Sequence, residues 1–251
     1  MIKAVCFDMG GTLHTITHTP ARRLRFASML RERLSDYGIT IPDDAAALET
    51  ELARAAEAYK NLSDETLKEE PADVIWADYH LQKYHIPREV IAPFAEELSF
   101  KYDYIRGSVV RRPHIRETFL ALLDMGVKVG IISNIISRSI VPHFLTEYGV
   151  EDLVSCVITS AETGIRKPNP AIFRLAEEAL CLAPKELAYV GDTIARDIIG
   201  TRAAGWGMMI KILTPQPSKR DAHLSDVSHP SDYIIRDLEE IPGIIRAANA
   251  R

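Results

Sequence analysis

Six short apolar runs punctuate the chain, at residues 2–7, 127–132, 154–159, 187–190, 208–212 and 233–235. Each carries apolar residues on both faces, as strands covered by helices on both sides do. Longer stretches with helical spacing lie between most of them. Residues 171–182 follow Asn169-Pro170, a capping residue and then a proline suited to the first turn. Residues 197–204 end at Gly205, a natural helix stop. This alternation predicts an α/β fold with a parallel sheet.

Residues 17–107 break the pattern and hold no convincing strand. Leu24, Ala27, Leu30, Leu34 and Tyr37 recur at helical spacing, ending at Gly38. Leu48, Leu52, Ala55 and Tyr59 do the same after Pro42. Val74, Ala77, Leu81 and Tyr84 form a third stripe after Pro71, and Ile91, Phe94 and Leu98 a fourth after Pro87. Four helices with short breaks predict a small bundle inserted between the first strand and the second. The expected division is a core of residues 1–16 and 108–251 with an all-helical cap of 17–107 over one sheet edge. Residues 214–231, rich in Pro, Ser and His, read as a surface loop.

Composition narrows the function. The 251 residues are 47% hydrophobic, enough for a sizeable core. A net charge of -5 implies no basic face and argues against a nucleic-acid partner. No apolar run approaches the roughly 20 residues of a membrane helix, and no signal-peptide pattern opens the chain. Cys6, Cys156 and Cys181 form no Cys-x-x-Cys and read as reduced core thiols of a cytoplasmic protein. Monomer and homodimer are both compatible with the sequence.

Ligands of an open parallel sheet bind beyond the carboxyl ends of its strands. Four polar clusters follow four of the apolar runs: Asp8, then Ser133-Asn134, then Gly164-Ile165-Arg166-Lys167-Pro168, then Gly191-Asp192. One rim therefore gathers a carboxylate nucleophile, a hydroxyl, a lysine and further carboxylates. Asp8 is the candidate nucleophile, able to attack phosphorus and form an aspartyl-phosphate that water cleaves. Asp8, Asp192 and Asp197 would repel one another on converging, so that either a pKa rises or a cation joins them. A hard dication with oxygen ligands fits, and Mg²⁺ commonly uses one or two carboxylates, waters and the substrate phosphate. Lys167 supplies a point charge and Ser133 a hydroxyl for the phosphoryl oxygens, and the backbone N–H of Asn134 adds a donor. Thr12 ranks below these, as a hydroxyl that locks the loop or reaches the phosphate.

Through Asp8-x-x-Gly11-Thr12-Leu13, Ser133-Asn134, Lys167-Pro168 and Gly191-Asp192-x-x-x-x-Asp197, the sequence resembles the haloacid dehalogenase superfamily of aspartyl hydrolases. The resemblance covers nearly the whole chain and is to the branch with a helical cap between the first and second motifs. It implies a Rossmann-like parallel sheet and a hydrolase, with a small phosphorylated metabolite as substrate and Mg²⁺ as cofactor. It further implies Asp8, the Gly10 carbonyl and Asp192 as protein ligands of the ion. Asp197, also a candidate ligand, would then hold a metal-bound water or Lys167.

Gly10 departs from that pattern. Phosphatases of the superfamily usually carry there a second Asp, which protonates the leaving group and later activates water. Such help is typically worth about 10²–10⁴-fold, and glycine cannot provide it. Either the leaving group is good enough to need no acid, or His14, His114 or a cap side chain donates the proton, or the chemistry differs. Dehalogenase-like C–X cleavage, phosphonatase-like C–P cleavage through a cap lysine (Lys60, Lys68, Lys83 or Lys101), and a non-catalytic phosphate- or metal-binding module are the alternatives. The sequence leaves the substrate undetermined.

Overall fold

The computed structural model describes residues 1–215 and 218–250. All six apolar runs are strands of one sheet: β1 Ala4–Phe7, β4 Lys128–Ser133, β5 Cys156–Thr159, β6 Leu187–Gly191, β7 Met208–Ile212 and β8 Tyr233–Ile235. The sheet is wholly parallel, in the order β5-β4-β1-β6-β7-β8. β1 is central, with β4 on one side and β6 on the other. The chain first winds outward through β4 and β5, then crosses back to β6, β7 and β8. This reversal opens a crevice at the carboxyl ends of the three middle strands, where ligands of doubly wound sheets bind.

Helices α6 (Ile115–Asp124), α7 (Ile140–Tyr148), α8 (Ser160–Thr163), α9 (Pro170–Leu180), α10 (Ile199–Ala203) and α11 (Ile241–Asn249) accompany the strands. One apolar layer packs Phe7, Val129 and Ile210 against Phe119, Phe144 and Ile245. The opposite layer packs Cys6, Tyr189 and Met209 against Ile172, Phe173 and Trp206. Asn169 caps α9 through a hydrogen bond from the Ala171 N–H, 3.0 Å. Cys181, expected in the core, instead ends α9 in a left-handed turn, φ 56°, with its side chain exposed. The apolar residues either side of it obscured that turn.

The segment between β1 and β4 is mainly helical: α1 (Pro20–Asp36), α2 (Ala45–Thr66), α3 (Ala72–Val74), α4 (Arg88–Ile91) and α5 (Ala95–Arg106). α3 runs on as a π-turn, Ile75–His80. These helices bury their own cluster, with Phe26, Leu30, Leu48, Leu52, Trp76 and Leu98 at its centre. Two stripe residues are exposed, Leu24 at 43% and Tyr37 at 42%. Leu24 lies at the edge of the α1 stripe, while the ring of Tyr37 stacks on Phe94 from outside, 4.0 Å between centroids.

One paired element is absent from the sequence-based expectation. β2 (His14–His18) and β3 (Gly107–Arg111) form an antiparallel ribbon, Ile16 opposite Val109 and His18 opposite Gly107. Both passages between sheet and helices run through it. The β-branched stretches Thr15-Ile16-Thr17 and Val109-Val110 were its available signal, too short and polar to stand out. The described part of residues 214–231 is also more than a surface loop. Asp221 accepts the Ile194 and Ala195 N–H groups, 2.9 Å each, and Arg220 pairs with Asp64 on α2. Gln216 and Pro217 lie outside the described residues.

Polar groups fasten the helical segment over the crevice. Arg166 pairs with Glu69, just beyond α2, and also lies 3.3 Å from Asp64. Glu69 additionally accepts from Tyr59, 2.6 Å, and Ser160, 2.7 Å. On the other side, Glu96 of α5 accepts from Ser137, 2.7 Å, and from the Ser139 N–H and hydroxyl. The Glu69 side chain is fully buried and that of Arg166 is 6% exposed. Removing one partner of such a pair strands a buried charge, at a cost of about 3–5 kcal/mol. Glu69→Ala should accordingly lower the unfolding free energy by about 3 kcal/mol, measured by urea denaturation; a change within experimental error would show the fastening to be energetically silent.

Candidate active site

β1 ends at Phe7 and delivers Asp8 to the centre of the crevice, its N–H bonded to the Val190 carbonyl at 3.0 Å. The chain then turns sharply: the Thr12 and Leu13 N–H groups both bond the Met9 carbonyl. Gly11, at φ 90°, makes this turn feasible. A Cβ there would lie 2.2 Å from the Asp192 carboxylate, so glycine also allows the two loops to touch. Arg112, following β3, donates to the Gly11 carbonyl at 2.9 Å and to that of Leu213 at 2.8 Å, holding the turn from outside.

Lys167 is the hub. Its Nζ lies 2.9 Å from Asp8 Oδ1, 2.8 Å from Asp197 Oδ1 and 2.6 Å from the Tyr189 hydroxyl. Burial disfavours its charge, but Asp197 and Asp8 outweigh that and raise its pKa above the usual lysine value. Asp197 is held oppositely. Burial would raise its pKa, yet the charge and hydrogen bond of Lys167, with bonds to Oδ2 from the Thr193 N–H (3.0 Å) and hydroxyl (2.6 Å), keep it below the ordinary carboxylate range. Burial dominates at Asp8, whose pKa is raised despite Lys167. Asp192 is raised well above the usual range, by burial first and then by the charges of Asp197 and Asp8.

Oxygens of Asp8, Asp192 and Asp197 lie within 4.8 Å of one another. Asp192 Oδ1 is buried without a hydrogen-bond partner among the described residues. Three clustered carboxylates against one ammonium, one of them with an orphaned oxygen, make a donor set that suits a hard dication. Asp8 and Asp192 have oxygens to offer it, and Gly10 borders the same cavity. Both Asp197 oxygens already have partners, Oδ1 in Lys167 and Oδ2 in Thr193.

The remaining expected residues divide. Ser133, at the tip of β4, borders the same cavity, of about 200 Å³, as Asp8, Gly10, Lys167 and Asp192. Asn134 borders it too, but its side chain clamps Lys167: Oδ1 accepts the Lys167 N–H at 2.8 Å and Nδ2 donates to the Lys167 carbonyl at 2.9 Å. Thr12 is not brought in. It is fully buried behind the turn, and its hydroxyl has no partner among the described residues. Pointing behind the loop follows from the same tight turn that presents Asp8 forward.

Of the two histidines, His14 lines the cavity and His114 does not. His14 Nδ1 is 2.8 Å from the Tyr148 hydroxyl, and burial lowers its pKa to about 4, leaving the ring neutral. His114 sits 2.9 Å from Asp237, at the start of α6. Sequence reasoning passed over Tyr189, which accepts from Lys167 and donates to the Ile132 carbonyl at 2.9 Å. A tyrosine inside an apolar strand run carries no signal of a polar role. Thr193, His18, Arg196 and, from α5, Asp103 also border the cavity unannounced.

The chain belongs to the haloacid dehalogenase-like hydrolase family, which it matches over residues 2–205. It is 27% identical to a glyceraldehyde 3-phosphate phosphatase of Methanopyrus kandleri, over 98% of both chains. Among solved structures it is similar to a 2-haloacid dehalogenase from Pseudomonas syringae, with 19% identity, TM-score 0.63, and 99% and 100% of the two chains covered. A predicted phosphoglycolate phosphatase from Haemophilus somnus aligns with 20% identity and TM-score 0.58, over 97% and 98%. At these identities the structural matches speak to the fold alone.

Tyr189→Phe removes a buried hydroxyl that serves both Lys167 and a strand carbonyl. Leaving such groups unpaired costs about 1–3 kcal/mol. The variant should lose that much unfolding free energy in chemical denaturation; an unchanged midpoint would mean that the hydroxyl contributes nothing to holding Lys167.

Proposed function

We propose that this hydrolase is a Mg²⁺-dependent phosphatase of a small phosphorylated metabolite, working in the cytoplasm through an aspartyl-phosphate. The observation that carries the reading is the convergence of the Asp8, Asp192 and Asp197 oxygens, within 4.8 Å, around the Lys167 ammonium. Asp8 attacks phosphorus, the ester oxygen leaves, and water then cleaves the acyl phosphate to return the carboxylate. Lys167 keeps Asp8 oriented and, with the Ser133 hydroxyl and the Asn134 N–H, offers donors where charge gathers on the phosphoryl oxygens. Asp197 fixes the lysine's direction. Asp8, Asp192 and the Gly10 carbonyl would hold the dication, which would add charge stabilisation for the transferring group. The arrangement puts positive charge ahead of the substrate's arrival, so little reorganisation is needed during reaction.

Size supports a small substrate, since the enclosed space is about 200 Å³. The relative from Methanopyrus kandleri, named for a three-carbon phosphate ester, supports the same class. The helical segment, residues 17–107 in the division proposed here, acts as the cap. Its apolar cluster is separate from those of the sheet, and polar groups fasten it. Interfaces of that kind permit relative motion, so the cap opens to admit substrate and closes to exclude water.

Hydrolysis of 4-nitrophenyl phosphate should require Mg²⁺ and disappear in Asp8→Asn. Retained turnover in that variant would refute the assignment of Asp8. Tight phosphate binding with no turnover of any phosphoester by the unaltered protein would favour a binding module, and halide release in the presence of a chelator a dehalogenase.

Mg²⁺ should also raise the thermal midpoint, because a ligand at 100 times its Kd stabilises by about 2.7 kcal/mol. The rise should be absent in Asp192→Asn, as followed by scanning calorimetry. An equal rise in both proteins would place the ion elsewhere.

A further inference from the structure

Gly10 leaves space beside the nucleophile. A Cβ built there meets only Ile16 Cδ1, at an ordinary 3.6 Å, and the backbone is not in a glycine-requiring conformation. Neutral His14 is a poor acid at physiological pH. Across the cavity, α5 of the helical segment contributes one carboxyl group, Asp103, two helical turns beyond Glu96. Asp103 is half-buried, and its Oδ2 is shielded from solvent with no hydrogen-bond partner among the described residues. It borders both the cavity of Asp8 and the adjoining space lined by Lys60, Tyr102 and Arg106. A shielded oxygen without a partner is costly, and among the described residues no hydrogen bond or ion pair accounts for this one.

We propose that Asp103 is the proton donor and acceptor of the phosphatase reaction, supplied by the cap in place of the side chain that Gly10 lacks. The proposal rests on the phosphatase reading above. As Asp8 bonds to phosphorus and the ester P–O bond breaks, the Asp103 carboxyl proton passes to the departing oxygen, releasing an alcohol. The Asp103 carboxylate then takes a proton from the water that attacks the aspartyl-phosphate. Phosphate leaves, and both Asp8 and Asp103 return to their starting states. The sum is ester plus water giving alcohol plus phosphate. Because the acid travels on the cap, it reaches the ester only when the cap is closed.

The surroundings suit a carboxylic acid. Burial raises the Asp103 pKa to about 7, against the opposing charge of Arg106 and with help from Glu69 and Glu96. His18 on β2, Tyr59 and Lys60 on α2, His80 in the π-turn, Tyr102 on α5, Arg166, and Arg196 in the helical turn after Thr193 are the other charged or titratable groups around the adjoining space. An acid with a pKa near the working pH is the effective kind. The protonated form predominates below about pH 7, so kcat/KM for an ester with a basic leaving group should fall as pH rises through that value.

The test compares the unaltered protein with Asp103→Asn, both loaded with Mg²⁺, on glycerol 3-phosphate and on 4-nitrophenyl phosphate. Loss of the acid should cost about 10²–10⁴-fold in kcat/KM on the alkyl ester and at least tenfold less, roughly, on the aryl ester, whose leaving group needs little protonation. The fall in kcat/KM above about pH 7 should vanish in the variant, and adding Gly10→Asp to it should restore part of the alkyl activity. Equal losses on both esters, or an unchanged pH profile, would overturn the proposal while leaving the phosphatase reading intact. An unaltered protein that hydrolyses neither ester would overturn both. Should Asp103→Asn show no cooperative melting, the unaltered protein decides: a shallow dependence of rate on leaving-group basicity supports an acid, and a steep one overturns it.

Discussion

A single buried ammonium makes the centre of this protein tenable. Lys167 is 1% exposed and stands within 3 Å, roughly, of two carboxylates, with a third carboxylate near enough to share an ion. Taking those charges out of water costs several kcal/mol each. The arrangement persists because every proton of the lysine has an acceptor, and because Asp197 and Tyr189 are themselves bonded on their far sides. Much of the crevice's detail serves that one group. Asn134 clamps its backbone, Thr193 aims Asp197, and Gly11 lets the Asp8 and Asp192 loops approach. A surplus of negative charge remains after the lysine is counted, and that surplus is what a dication would neutralise.

The second constraint is the mode of attachment of the helical segment. It has its own apolar centre and meets the core through carboxylates, arginines and serines, and through Phe100 and Tyr104 of α5, which pack on His143 and Phe144 of α7. Three arginines from different core loops, Arg166, Arg196 and Arg220, gather on Asp64 at the end of α2. The polar contacts specify one position of the helical segment over the crevice. The ribbon of β2 and β3 supplies the hinge-like passage, so Ile16 and His18 reach the cavity from strands that belong to neither layer.

Periodicity revealed the sheet because strands covered on both faces must be apolar throughout, and nothing else in the chain has that pattern. The same logic exposed Asp8, Ser133 and Asp192, as Asp8 and Asp192 follow directly on strands and Ser133 ends one. It failed where polarity and burial part company. Thr12 ranked lowest because a loop-locking role was open to it as well as a phosphate contact, and only its full burial separates the two. Tyr189 looked like core filling, yet its hydroxyl is part of the lysine's environment. The ribbon was missed because five-residue strands with mixed polarity resemble any loop.

The order of motifs, the apolar strand runs and the glycine at position 10 are local properties, legible residue by residue, so the α/β class, the rim of acids and the missing acid–base partner all follow from the sequence alone. Which carboxylate is tied to Lys167, which keeps an orphaned oxygen, and which residue of a distant helix overlooks the space beside Gly10 depend on distances between segments about a hundred residues apart. Those distances are set by how the sheet reverses direction and how the helical segment closes over it. They are consequences of packing, and no spacing along the chain encodes them.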